Sequence, residues 1–145
     1  MANLEYLLSK MNGLSAKIDE LNSASQYLEY DDLSGMDIDY NDPNELLLKT
    51  ELIGIMEKLN DVRSTLKYLN SSILSEGQIF LNSQNYYELK GKSGKVYHCG
   101  DIIEFKDPDN DCWALSYIGH NGNDYYIIGY QNLSLQCLRA RNRKC

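Results

Sequence analysis

Histidine is nearly absent from this sequence. His98 and His120 are the only two in 145 residues, which weighs against general acid–base and Cys–His nucleophilic chemistry, both of which lean on imidazole. His98 adjoins Cys99, but neighbouring side chains on a strand point to opposite faces, so the two make a poor base and nucleophile. His120 falls in a turn, where bonding its own loop is role enough. The four cysteines, Cys99, Cys112, Cys137 and Cys145, lie in the second half and contain no CxxC, which argues against a zinc knuckle. No apolar run approaches a membrane span. The opening MANLEYLLSKMNG lacks the basic and apolar regions of an export signal. A cytoplasmic protein with reduced thiols follows as the expectation. Glycine-rich phosphate loops are also missing, since GKSGK at 91–95 has the wrong spacing for GxxxxGK[ST] and reads as a basic turn. Neither enzymatic activity nor a cofactor is expected.

Bases are short as well. Fourteen Lys and Arg face 21 acids, for a net charge of −7. Nonspecific nucleic-acid affinity comes from cations that neutralise phosphates, so this balance disfavours it and suits a basic protein partner instead. The imbalance is local: residues 1–75 hold 13 acids against 6 bases, and residues 76–145 hold 8 of each. The stretch YDDLSGMDIDYNDPNE, residues 30–45, carries six acids and no base. Two segments imitate the start of a calcium loop. Asp37, Asp39 and Asn41 are followed by Asp42 where glycine is needed and Leu48 where the last carboxylate is needed. Asp107, Asp109 and Asp111 run into Cys112 and Ile118 at the same two positions. Both fail where coordination is most demanding, and no metal site is expected.

Two strongly periodic windows occupy the first half. Leu4, Leu7, Met11, Leu14, Ile18, Leu21, Ser25 and Leu28 alternate steps of three and four, and so do Leu48, Leu52, Ile55, Leu59, Val62, Leu66, Leu69 and Ile73. That spacing keeps one stripe of a helix facing another helix, as in a coiled coil. Asn3 is a candidate cap for the first helix. Asp42, Pro43 and Glu45 form a capping-box start for the second. Residues 1–75 therefore read as an antiparallel helical hairpin with an acidic interhelical segment at 29–42. Leu8, Leu46, Leu47, Ile53 and Met56 widen the apolar stripe beyond what a two-helix hairpin covers. Either the second half of the chain or another copy must cover the surplus. A homodimer is the expectation carried forward, with Leu52, Ile55, Leu59, Val62, Leu66 and Leu69 as dimerisation residues. Gly54, beside the seam, is either a point of close chain approach or a tolerated defect.

From residue 76 the pattern changes to short runs divided by turns. GQIFLNSQN, YYELKGKSG, KVYHCGDIIEF, CWALSYIG, DYYIIGY and LSLQCLRAR read as five or six strands, and Asn121-Gly122 marks a hairpin. This half holds both phenylalanines, the tryptophan and seven of 12 tyrosines, much of which should be core. The fold class expected is α+β: a coiled-coil-like hairpin, then a small SH3-like antiparallel barrel at 76–145 with a basic C-terminal tail.

VYHCGDIIEF, the tryptophan strand and YYIIGYQNLSLQCLRAR together resemble a small uncharacterised barrel domain of Gram-positive bacteria, their phages and mobile elements. The likeness rests on Gly100, Asp101, Ile103 and Glu104 in a GD-x-[IV]-E-like strand. It rests also on Leu135, Leu138, Ala140 and Arg141 in a closing LxGLxAR-like segment, where Gln136-Cys137 replaces the usual glycine-containing step. It covers residues 76–143 and implies a small accessory protein with no catalytic residues to carry over. Asp101 and Glu104 as a carboxylate pair read as salt-bridge or turn residues.

Three functions follow as expectations. The first is a non-enzymatic interaction protein that presents Asp31, Asp32, Met36, Asp37, Asp39, Tyr40 and Asp42 to a basic partner. A phage or mobile-element inhibitor of a host defence nuclease, anti-CRISPR-like, would use such a surface in place of phosphates. The apolar Leu33, Met36, Ile38 and Tyr40 among the acids favour binding over a solvated linker. The second is nucleic-acid binding through Arg139, Arg141, Arg143 and Lys144 with Trp113, Tyr125 or Tyr126 as stacking platforms. The third is a structural oligomerisation module.

Overall fold

A computed structural model describes residues 2–144. The chain divides after Asn70 into two compact units. The first is all helix and turn: α1 (Leu4–Met11), α2 (Gly13–Ser25) and α3 (Pro43–Leu69). Asn3 caps α1, its side chain accepting from the Tyr6 amide at 2.9 Å. Asp42 caps α3 by accepting from Asn44 N, also at 2.9 Å. The capping box is only half made, because the Glu45 carboxylate accepts from the Asp39 amide and not from residue 42. It thereby ties the acidic connection onto the start of the helix.

The helical expectation needs three corrections. The first window is interrupted at Asn12, the C-cap of α1, and ends at Ser25, before Leu28. The second ends at Leu69, so Ile73 opens a strand and is no seam residue. Most important, only part of the three-four stripe joins α2 to α3: Ile18 and Leu66 are buried, while most of the other stripe residues are not. Three polar pairs set the register of that join. Asn12 and Asn70 exchange side-chain amide bonds at 3.1 and 2.7 Å. Asn22 and Asn60 do the same at 2.9 Å each way, and Arg63 Nε donates to Asp19 at 2.6 Å. Moving from 12 to 19 to 22 matches the return from 70 to 63 to 60, so one antiparallel register serves all three. Ile18, Met56 and Leu66 are buried, while Leu14, Leu21, Leu52, Ile55, Val62 and Leu69 stay about half exposed.

The second unit is a curled antiparallel sheet of seven strands among the described residues. They are β1 (Ile73–Leu81), β2 (Tyr87–Leu89), β3 (Val96–Tyr97), β4 (Ile102–Asp107), β5 (Cys112–His120), β6 (Tyr125–Ile127) and β7 (Arg139–Arg143). Their order is β3-β2-β1-β7-β4-β5-β6. The run 95–105, expected as one strand, divides in two. Gly100 has φ +92°, a conformation that favours glycine. Asp101 Oδ2 accepts the His98 amide at 2.8 Å and closes the turn. The Gly-Asp of the first motif is thus a turn device. The closing run 133–141 becomes strand only at Arg139, because Leu133 to Leu138 turn and Cys137 sits at φ +66°. Ile79, Leu89, Tyr97, Ile103, Phe105, Ile118, Ile127 and Ala140 are the deepest part of one apolar core. At the two ends of the sheet, Tyr86 and Tyr87 reach Tyr125 of β6 through ring contacts at 6.1 and 6.5 Å.

Candidate protein-interaction site

The acidic connection is folded by its own side chains. Asp32 Oδ1 accepts from Ser34 N at 3.0 Å, and Asp39 Oδ1 accepts from Asn41 N at 3.0 Å. Such short-range bonds are what make Asp a turn residue. Bonds from the Ser34 side chain and amide hold the Asp32 carboxyl below its ordinary value. Leu33 adopts φ +61° and is buried at 3% exposure. A left-handed leucine is strained, and here its side chain is tucked under the turn. Asp31 and Asp37 make no hydrogen bond among the described residues, and their charge is open to solvent.

Beside the connection lies an open cavity of about 130 Å³. Leu33, Met36 and Ile38 of the connection form its wall with Leu48 and Leu52 of α3. Asp37, Glu45 and Lys49 supply its polar lining. Met36 and Tyr40 are about half exposed, and Lys49 Nζ stands 5.0 Å from the Tyr40 ring centre. Of the seven partner-binding residues expected from sequence, Met36 and Asp37 line this cavity, Asp32 and Asp39 stabilise turns, and Asp42 caps α3. Asp31 and Tyr40 stay exposed beside them. Leu33 and Ile38 carry the cavity, and the signal for them was the apolar spacing inside an acidic run.

The basic tail is built differently from its sequence reading. Arg139, Arg141 and Arg143 alternate along β7. Arg139 pairs with Glu76 at 2.5 Å on the surface. Arg141 Nε reaches Glu104 at 2.6 Å and Arg143 Nε reaches the same carboxylate at 2.8 Å. Glu104 lies directly across the ladder from Arg141 and is 5% exposed. Arg143 also donates to Ser71 O at 3.2 Å. Trp113 is brought to this group, with the Arg141 guanidinium carbon 4.1 Å from its ring centre, a cation–π stack. Tyr125 and Tyr126 are not. Tyr125 packs against His120 at 4.6 Å, and Tyr126 covers Gly119, where any side chain would collide with its ring. Lys144 is exposed.

Cys99, Cys112 and Cys137 are exposed free thiols. His120 Nδ1 accepts from Gly122 N at 3.1 Å, and His98 Nδ1 lies 3.7 Å from Asp101. In the DPDND turn, Asp107 accepts from Asp109 N at 3.0 Å and from the Asn110 amide at 2.8 Å. Its carboxylate is spent on the turn. Among the described residues no group of three or more His, Cys, Asp or Glu is arranged to hold a metal. No helix among them is long and apolar enough to cross a membrane.

Comparison with known proteins reaches the sheet alone. Residues 77–142 match the model of a domain of unknown function, DUF5348. The match spans β2 to β6 entire and most of β1 and β7, and it leaves out the hairpin. No curated protein and no solved structure matches the chain.

Proposed function

We propose that this protein is a non-enzymatic interaction module whose hairpin tip grips a basic protein. The observation that supports this most directly is the mainly apolar cavity of about 130 Å³ between α3 and a stretch, residues 30–45, of six acids and no base, with Lys49 of α3 as the one base in its lining. A partner that inserts one apolar side chain there, with Lys or Arg around it, satisfies both features. Burying one such anchor contributes about 1.5–3 kcal/mol, and the surrounding acids steer the encounter and select a cationic surface. The resemblance of the C-terminal half to a domain of phages and mobile elements supports a particular partner class, a host defence nuclease whose cationic groove normally takes nucleic acid. In this reading the sheet is an SH3-like scaffold, the protein works in the cytoplasm, and the acids stand in for phosphates. The nucleic-acid alternative is less well supported, because Arg141 and Arg143 direct their charge at Glu104 and Arg139 at Glu76.

The test is affinity capture from a Gram-positive host, followed by titration of the captured protein. The captured protein should be basic, and duplex DNA should compete with the tip for it. Changing Asp31 and Asp37 to Lys should weaken the complex at least about tenfold and flatten its salt dependence. A complex equally tight after both charge reversals, and indifferent to DNA, would sink the reading.

A further inference from the structure

The hairpin carries an apolar face that its own helices do not use. Ile55, Val62 and Leu69 each immediately precede Met56, Arg63 and Asn70. Of these, Arg63 and Asn70 bond across to the first half of the hairpin and Met56 is buried. Leu21 immediately precedes Asn22, which bonds to Asn60, and Leu14 precedes half-buried Ser15. One residue is a rotation of about 100° about a helix axis. The rows Leu14–Leu21 and Ile55–Val62–Leu69 are therefore offset by a quarter turn, in the same sense, from the line where the helices meet. Reversing a helix reverses its sense of rotation, so equal offsets on antiparallel helices point to the same flank. The polar register then sets Leu14 level with Leu69 and Leu21 level with Val62, as apolar rungs. All four are 41–48% exposed.

We infer that this flank is the dimer interface, and that its occupant is the same flank of a second copy, giving a four-helix core. Strict seven-residue spacing on both stripes calls for helices as the partner, because it keeps in step with a supercoiled neighbour. A two-fold axis supplies two more helices with the same spacing and the same rungs, flank against flank. The area suits this. Half-exposed leucine-sized side chains offer roughly 50 Å² each, so the seven stripe residues of α2 and α3 that stay 39–57% exposed supply on the order of 350 Å². That is about three quarters of the apolar share of the ~800 Å² per partner typical of a stable interface. The polar pairs Asn12–Asn70, Asn22–Asn60 and Asp19–Arg63 stitch each hairpin together and leave its leucines free for the other.

Sedimentation equilibrium of the full chain at micromolar concentration should give twice the 16.6 kDa of one chain. Leu21→Glu combined with Val62→Glu should give the single-chain mass with helical circular dichroism retained, a loss of at least about 100-fold in association. Because two glutamates can unfold the hairpin, the milder pair Leu21→Ser and Val62→Thr should be measured beside them. It should give a weaker dimer with an unchanged spectrum. A wild-type chain that stays at 16.6 kDa overturns the inference and leaves the flank to a different helical protein, as does a folded variant as dimeric as the parent. Asp31→Lys with Asp37→Lys should remain dimeric, so failure of the tip reading and failure of this one are told apart.

Discussion

Glu104 serves two arginines at once and is 5% exposed. A buried charge group of this kind is expensive to break, because removing one partner strands the others away from water. Glu104→Gln should therefore destabilise the sheet unit by about 3–5 kcal/mol. Urea unfolding followed by tryptophan fluorescence would read it directly, since Trp113 is the one tryptophan and stacks on Arg141. An unchanged midpoint would show that the carboxylate is not the anchor. Tyr97 makes the opposite case. Its hydroxyl is buried with no hydrogen-bond partner among the described residues, and burial first, then Asp101 and Glu104, push its pKa well above 10. An unpartnered buried hydroxyl costs about 1–3 kcal/mol, so Tyr97→Phe should leave stability unchanged or raise it by about 1 kcal/mol. The sign with pH follows from the raised pKa. The unfolded chain releases the phenolic proton near pH 10 while the folded chain keeps it, so this contribution is whole below pH 10 and is lost as pH rises beyond it. In Tyr97→Phe the alkaline decline should be shallower, as pH-dependent melting would show.

At the scale of elements, periodicity and orientation separate. The three-four spacing made the helical windows legible but not the break at Asn12 that divides the first into α1 and α2, and Asn3 and Asp42 marked the starts of α1 and α3. The spacing did not say which helix the stripe faces. Asn12, Asn22, Asn60 and Asn70 decide that, and asparagine scattered through an amphipathic helix carries no strong signal by itself. A reciprocal amide pair gains little net energy but is costly to leave half made. Asn22→Ala should thus destabilise the hairpin by about 1–3 kcal/mol. The double change of Asn22 and Asn60 to Leu should recover that stability while losing the single register, because apolar contacts slide where an amide pair does not. Thermal melting gives the first result and dispersion of amide resonances the second. A double variant with one sharp set of resonances would show that the amides do not set register. In the sheet, Asn121-Gly122 gave its hairpin, whereas Gly100 and Cys137, at φ +92° and +66°, shortened strands that alternation alone would extend.

For the whole molecule, charge and its placement are the deciding quantities. A net −7 with the three arginines of β7 engaged by Glu76 and Glu104 leaves little cation to release counterions from DNA. At about 0.1 M salt a duplex should not be shifted by micromolar protein. A salt-dependent shift that disappears in Arg139→Gln, a surface change, would reinstate the nucleic-acid reading. The sequence by itself determined that there are two kinds of structure here, rods of 3.6-residue period and then short alternating strands, because those periods follow from local backbone geometry. It also determined that the acids cluster between the helices, since position along a chain is all that requires. Only the tertiary structure decided where the arginines spend their charge, which apolar residues shape the tip, and which flank of the hairpin stays open. Those depend on partners far apart in the chain, such as Glu104 with Arg143 or Asn12 with Asn70, and no local pattern encodes a contact across that distance.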